Sequence, residues 1–420
     1  MFFLYQILII ILLIFSPLII FFRIFKKKED KKRYKEKFCF PSKKRISGNL
    51  IWFHGSSVGE LLSILPLVQE LEKNKSINQI LITTSTLSSA QIFKKFNFKK
   101  TIHQFFPIDS ILFSYKFLNY WKPTIAIFVE SEIWPSIFRA LNKKSIPLKL
   151  LNARITKKTF NKWMRIKKFS NSVFQNISIA YPQNEETFNY LKKLNVKKIK
   201  KIGNLKFFNN QQSKLTKLDN TFLKNINLKK IWCASSTHPG EEIICADVHI
   251  NLKKKYKNLL TIIIPRHIHR VNKIVNEIKS LDLNIVLHSS RPKKLNNTDI
   301  YLVDTYGETQ KFYHSSDIVF MGKSISGKGG QNPLEPTNLG STVLHGPNVD
   351  NFKDTYKLLN KLKVAYKVNG VKSLTQSIDK LITKPNNKKN YLKIAKMGKK
   401  ILNETKDEIN SLFNNEIKKT

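Results

Sequence analysis

The sequence predicts an α/β protein: two parallel-sheet halves behind one apolar N-terminal helix. Three observations carry this. Two successive series of short apolar runs alternate with amphipathic stretches, a polar segment (Asn209–Lys230) separates them, and 21 uncharged residues, Phe2 to Phe22, precede both. Strands spaced by helices require crossover connections, hence parallel sheets, with ligands expected outside the carboxyl ends of the strands.

The N-terminal run would span about 31 Å as a helix, against a hydrocarbon core of about 30 Å. No Lys or Arg precedes it and no small-residue cleavage site follows, which argues for an anchor over a signal peptide. Twelve Lys/Arg against three acidic residues crowd positions 23 to 45. The positive-inside rule then puts the body on the cytoplasmic side, as a single-pass protein against an anionic membrane surface.

The first series of predicted strands is Leu50–His54, Gln79–Thr84, Thr101–Phe106, Thr124–Glu130, Ile146–Asn152 and Ser178–Tyr181, with helical patterns such as Gly59–Lys73, Ser88–Phe96 and Trp134–Lys143 between them. The second is Lys230–Ala234, Leu259–Pro265, Asn284–His288, Asp299–Asp304, Asp317–Met321 and Thr342–His345. A lysine-rich terminal helix is expected over 390–418. The organisation is thus an anchor (1–23), a basic segment (24–48), a first domain (49–208), a linker (209–229) and a second domain (230–420).

At 420 residues and 41% hydrophobic, the chain can bury two cores. Its net charge of +45 comes from lysines spread along the whole length, and no RNA- or DNA-binding module accompanies them. We therefore set nucleic-acid binding aside; the charge fits an acidic partner or an anionic membrane. Cys39, Cys233 and Cys245 are odd in number and lack C-x-x-C spacing, which indicates a reducing compartment.

The richest stretch runs from Met321 to Gly340. A β-type run feeds a glycine-rich loop, then a helix start with Asn332 suited to the N-cap, Pro333 to the first turn and Glu335 to N3. Backbone N–H groups approached closely through glycine make an anion site, and the neighbouring carboxylate suggests a nucleotide or nucleotide-sugar. A capping box accounts for Asn332 and Glu335 equally well on this segment alone. Gly322-x4-Gly327-Lys328 is not a P-loop, since Gly329 stands where a Mg²⁺-binding hydroxyl belongs.

Other strand ends carry candidate chemistry. Glu60, in Gly55-Ser-Ser-Val-Gly-Glu60, could serve as general base or merely complement a helix dipole. Glu130 and Glu132 would lie on one side if their strand persists, and carboxylates there have no packing reason to be present. Lys206 in Gly203-Asn-Leu-Lys206 could neutralise phosphate charge or be a surface amine. Ser235, Ser236 and Thr237, Arg266 after Pro265, and Asp304-Thr-Tyr306-Gly307-Glu308 are each compatible with phosphate or with capping. There is no H-E-x-x-H, Asp-x-Asp or G-x-G-x-x-G, so metal-dependent and dehydrogenase readings lack support.

Eight motifs, taken in chain order, resemble the 3-deoxy-D-manno-octulosonic acid (Kdo) transferases of lipopolysaccharide synthesis. They are Trp52–Glu60, Glu130–Pro135, Leu151–Arg154, Gly203–Lys206, Ser236–Glu242, Pro265–His267, Asp304–Glu308 and Asn332–Glu335. The resemblance implies a GT-B fold, two Rossmann-like domains facing across a cleft, with the acceptor side first and the CMP-sugar side second. It implies CMP-Kdo as donor, lipid IV(A) as acceptor, an inner-membrane location, and an inverting reaction without a metal or a separate cofactor. Glu60 corresponds to the general base, and Glu130 and Lys206 to transition-state stabilisation. Pro265, Arg266, Tyr306, Gly307, Glu308, Asn332, Pro333, Leu334 and Glu335 correspond to the CMP-binding segments. The alternative is another membrane-associated GT-B enzyme using a different nucleotide-sugar. Departures are Tyr306 (usually Met), Gln331 (usually His), Lys323 within Gly-Gly-Ser, and Phe208 (usually Asp); none removes a proposed catalytic group.

Overall fold

The computed structural model describes residues 1–208, 218–292, 294–383 and 388–419. The chain divides into two compact units, Met1–Phe208 with Gly398–Thr420, and Asn209–Met397. After α1 (Phe2–Phe25), the first unit alternates β1 (Leu50–His54), α2 (Val58–Leu71), β2 (Gln79–Thr84), α3 (Leu87–Phe93), β3 (Thr101–Phe105), α4 (Ile111–Trp121), β4 (Ile125–Val129) and α5 (Pro135–Lys143). It continues through β5 (Leu148–Ala153), α6 (Lys157–Arg165), α7 (Lys167–Phe174), β6 (Ile177–Pro182) and α8 (Glu185–Lys193).

These strands read as unbroken apolar runs because a parallel sheet is covered on both faces, and β1 and β4 are buried throughout. Their order is β3-β2-β1-β4-β5-β6, all parallel. Chain direction across the sheet reverses between β1 and β4, which is where such folds bind ligands. Trp52, Phe117 and Phe128 centre the core, and Ser57, Thr86, Ser110, Thr156 and Asn184 cap successive helices through their side-chain oxygens.

The second unit comprises α9 (Asn220–Asn227), β7 (Lys230–Thr237), α10 (Glu241–Lys253), β8 (Leu259–Pro265), α11 (Val271–Lys279), β9 (Ile285–Leu287), β10 (Ile300–Leu302), α12 (Thr309–His314) and β11 (Ile318–Met321). There follow α13 (Leu334–Asn338), β12 (Thr342–His345), α14 (Lys353–Lys361), β13 (Ala365–Lys367) and α15 (Val371–Ile382), then the long α16 (Lys388–Ile417). The strand order is β13-β12-β11-β7-β8-β10-β9, so the reversal falls between β7 and β11.

Three details differ from the sequence reading. The expected linker lies partly outside the described residues (209–217), and its remainder forms α9, whose Phe222 packs on Tyr301 and Phe312. The terminal helix was assigned to the second domain, yet Gly398–Thr420 belongs to the first unit. Glu408 accepts from Tyr181 and Lys200, Asn74 bonds Asn410, and a Cβ on Gly398 would come 2.4 Å from the Phe207 carbonyl oxygen. Third, α13 is a five-residue turn capped at Pro333, so Glu335 stands at its second position rather than its third. Asn332 accepts the Leu334 N–H at 3.1 Å, an Asx turn that replaces the expected capping box.

Candidate active site

In the first unit, Gly55 leaves β1 where a Cβ would press to 3.1 Å from Glu60 Cβ, and Ser57 starts α2. The Ser57 N–H donates to Glu60 Oε2 at 2.9 Å, and the Glu60 N–H donates to Ser57 Oγ at 3.3 Å. Glu60 is therefore a capping residue. Burial, opposed by the Ser57 bonds but reinforced by the charges of Glu132 and Glu130, raises its pKa to about 7.

The expectation that Glu130 and Glu132 share one side of an extended strand does not hold. β4 stops at Val129, and Glu130 adopts φ 57, a left-handed conformation that costs a non-glycine residue about 1–3 kcal/mol. Its backbone is gripped on both sides: its N–H donates to the Leu151 carbonyl at 2.9 Å and its carbonyl accepts from Arg154 N–H at 3.2 Å. The two carboxylates consequently diverge.

Glu130, buried, meets Lys206 Nζ at 2.5 Å. Lys206 is set by a turn in which Asn204 accepts its N–H at 2.9 Å and Asn152 accepts that of Leu205 at 3.2 Å. The lysine is thus no free surface amine. Glu132 Oε2 accepts from Ser56 Oγ at 2.5 Å and Trp134 Nε1 at 2.8 Å, and lies 3.0 Å from His54 Nε2. Burial opposes its ionisation, but these bonds prevail and hold it below the usual glutamate range. His54, which contacts Glu132, escaped the sequence reading as a site member. The signal for it was a histidine ending a buried strand.

In the second unit the reversal at β7/β11 is organised by two fully buried glutamates. Glu241 accepts backbone N–H groups from Lys323 (2.7 Å), Ser324 (2.9 Å), Ile325 (3.0 Å) and His238 (3.0 Å). The opening N–H groups of the glycine-rich loop are consequently satisfied inside the protein, at Lys323 to Ile325. Gly322 permits this approach, because a Cβ there would lie 2.5 Å from the Ser236 carbonyl oxygen. Glu242 pairs with Arg270 through two bonds of 2.9 and 3.1 Å and accepts from Thr237 Oγ1 at 2.9 Å.

The predicted nucleotide-side residues all follow carboxyl ends of parallel strands. Pro265 ends β8 buried; Arg266 is exposed and makes no ion pair among the described residues. Tyr306 is 73% exposed and Gly307 has open space at its Cβ position. Glu308 is engaged by His288, by Thr305 Oγ1 at 3.0 Å and by Lys311 Nζ at 2.6 Å. Burial opposes, but Lys311, Thr305 and His288 draw its pKa down to about 2. Pro333 and Leu334 are buried, Asn332 is half-buried, and Glu335 is exposed.

This two-sheet architecture recurs in solved structures. A UDP-GlcNAc 2-epimerase from Neisseria meningitidis, bound to UDP-GlcNAc, aligns over 85% of this chain and 99% of its own with a TM-score of 0.57 at 16% identity. The fold class is thereby GT-B, two parallel-sheet α/β domains. Sequence narrows the class to one family. Residues 32–209 match the model described as 3-Deoxy-D-manno-octulosonic-acid transferase (kdotransferase). A 3-deoxy-D-manno-octulosonic acid transferase from Rickettsia bellii is 34% identical over 397 residues, 92% of this chain and 93% of that protein. One from Haemophilus influenzae is 29% identical over 86% of this chain and 85% of its own length. The chain belongs to the Kdo transferase family and is a glycosyltransferase.

Proposed function

We propose that the protein transfers Kdo from CMP-Kdo to lipid IV(A) during lipopolysaccharide synthesis, with inversion and without a metal ion. The observation that carries the mechanism is the Glu60 carboxylate, whose pKa of about 7 suits a base that must take a proton at neutral pH and later release it. Glu60 removes the proton of an acceptor hydroxyl. That oxygen attacks the anomeric carbon of Kdo, the bond from carbon to the phosphate oxygen breaks, and CMP leaves with the electron pair.

Glu132 stays ionised through its three donors and adds to burial in raising the Glu60 pKa. Lys206, held by Glu130, places a cation near Glu60's side of the site, where phosphate charge develops. On the donor side, Pro265 and Arg266, Tyr306 to Glu308, and Asn332 to Glu335 hold CMP. Support comes from their shared strand-end position and from the exposed Arg266 guanidinium, which makes no ion pair among the described residues. The absence of an Asp-x-Asp sequence supports a mechanism in which cationic side chains take the metal's part. The apolar α1 and the basic segment after it attach the enzyme to the inner membrane with its body on the cytoplasmic side, beside a lipid acceptor.

Mass spectrometry of lipid IV(A) incubated with purified enzyme and CMP-Kdo tests the proposal. The expected result is a mass gain of one or more Kdo units with stoichiometric CMP. Transfer from UDP-sugars but not from CMP-Kdo would overturn it.

A further inference from the structure

We infer that α1 lies along the surface of an anionic lipid bilayer, apolar face inward, and does not cross it. This rests on the reading of α1 as the membrane attachment and concerns its direction only. Phe2, Tyr5, Ile9, Leu13, Ser16 and Ile20 are less exposed than their neighbours. Their spacing of three and four residues is one continuous helical stripe, so α1 is covered along a single face from start to end.

The start of the helix is tied down by specific bonds. Tyr5 OH donates to Asp109 Oδ2 at 2.7 Å, Gln6 Nε2 donates to Ser136 Oγ at 2.8 Å, and Gln6 Oε1 accepts the Ile111 N–H at 3.2 Å. The guanidinium of Arg139 sits 4.5 Å above the Phe2 ring. At the other end Arg23 Nε reaches the buried Glu29 at 3.0 Å. Three of the four polar side chains of α1 thus bond residues outside the helix; the fourth, Ser16, donates to Leu13.

A 24-residue helix is about 36 Å long. To cross about 30 Å of hydrocarbon, its first turns would have to leave Asp109 and Ser136, or carry those polar groups into lipid. An in-plane helix needs neither. Such helices ordinarily show water a polar face; here the face turned from lipid is the stripe from Phe2 to Ile20, which is covered and needs no polar side chains to meet water. The rest of the helix is apolar and open, with Phe3 75%, Ile14 69% and Phe25 80% exposed, more than a water-facing surface tolerates.

Cations flank both ends. Lys26, Lys27 and Lys28 are exposed beyond the C-terminus. Arg139 and Lys143 line a pocket of about 410 Å³ beside Phe2, Phe3 and Gln6 at the start. That arrangement complements anionic headgroups at both ends of the helix on one side of the membrane.

The test uses the full chain in vesicles of phosphatidylethanolamine and phosphatidylglycerol. Nitroxide labels go on Phe3→Cys, Leu12→Cys and Phe22→Cys, all exposed positions, while the native Cys39, Cys233 and Cys245 are buried. Collision with oxygen and with a nickel chelate reads depth. The expected result is one shared shallow depth for all three labels, with position 3 reached by a membrane-impermeant thiol reagent from the side of the body. A profile deepest at position 12, with position 3 reached only from the opposite side, overturns the inference; so does failure to bind the vesicles. Transfer activity measured on the same samples keeps the functional reading separate, since its loss leaves the depth profile unchanged.

Discussion

Replacing Glu60 by Gln should abolish transfer while leaving the fold intact, and the structure supplies both magnitudes. A base with a pKa of about 7 is about one-tenth ionised at pH 6 and nine-tenths at pH 8, so kcat/KM of the wild type should rise roughly tenfold across that interval. An unperturbed glutamate, at 4.5, would give a flat profile there. Gln cannot take a proton, and losing general-base catalysis costs about 10²- to 10⁴-fold in rate. Gln does still close a capping box, so the Ser57 N–H keeps its acceptor and the start of α2 stays capped.

The linkage has a definite sign. The protonated form of Glu60 is favoured by folding, so its stabilisation is full below about 4.5 and is lost as pH rises through about 7. Glu60→Gln should therefore gain stability relative to wild type over that window. The assays are initial rates of Kdo transfer at lipid acceptor well below KM from pH 5.5 to 8.5, thermal unfolding at each pH, and CMP-Kdo binding. A wild-type profile flat through pH 6–8, or a variant keeping more than about a tenth of the activity, would refute the general-base assignment.

Other outcomes follow from the same contacts. Lys206→Ala leaves Glu130 buried without its cation and should cost about 3–5 kcal/mol in urea unfolding, partly recovered by adding Glu130→Gln. Were the two losses simply additive, the pairing would be immaterial. Glu241→Ala strands four backbone N–H groups at about 1–3 kcal/mol each, an upper bound because the loop can relax; a loss above about 3 kcal/mol with weakened CMP binding is expected. Gly322→Ala drives a Cβ against the Ser236 carbonyl, displacing the loop. It should lower CMP affinity measured calorimetrically without moving the acid limb of Glu60; unchanged affinity would detach the loop from donor binding.

Much of the fold could be read from periodicity. The bounds of β1, β2, β8 and β12 coincide with the runs that suggested them, because strands covered on both faces read as short, largely apolar segments bounded by turn residues. β13 was missed because three residues, two of them exposed, carry no such pattern. At Asn332 the local rules gave two equally good answers, and the structure took a third, an Asx turn to Leu334. Glu241 and Glu242 are both acids in the first turn of α10. No local pattern says that one would reach across some 80 residues to the glycine loop and the other forward to Arg270.

By itself the sequence determined the α/β class, the alternation that makes both sheets parallel, the apolar character of α1 and the motif set that points to the family. Those are properties of neighbours along the chain, set by periodicity, capping and turn chemistry. Only the tertiary structure decided that Glu60 is buried, with Glu132 and Glu130 near it, so that it titrates near neutrality. It alone decided that Lys206 is paired with Glu130 and that α1 is bound to the body at its first turn. Burial and charge act through space, between residues about 70 to 100 positions apart, and composition cannot encode such distances.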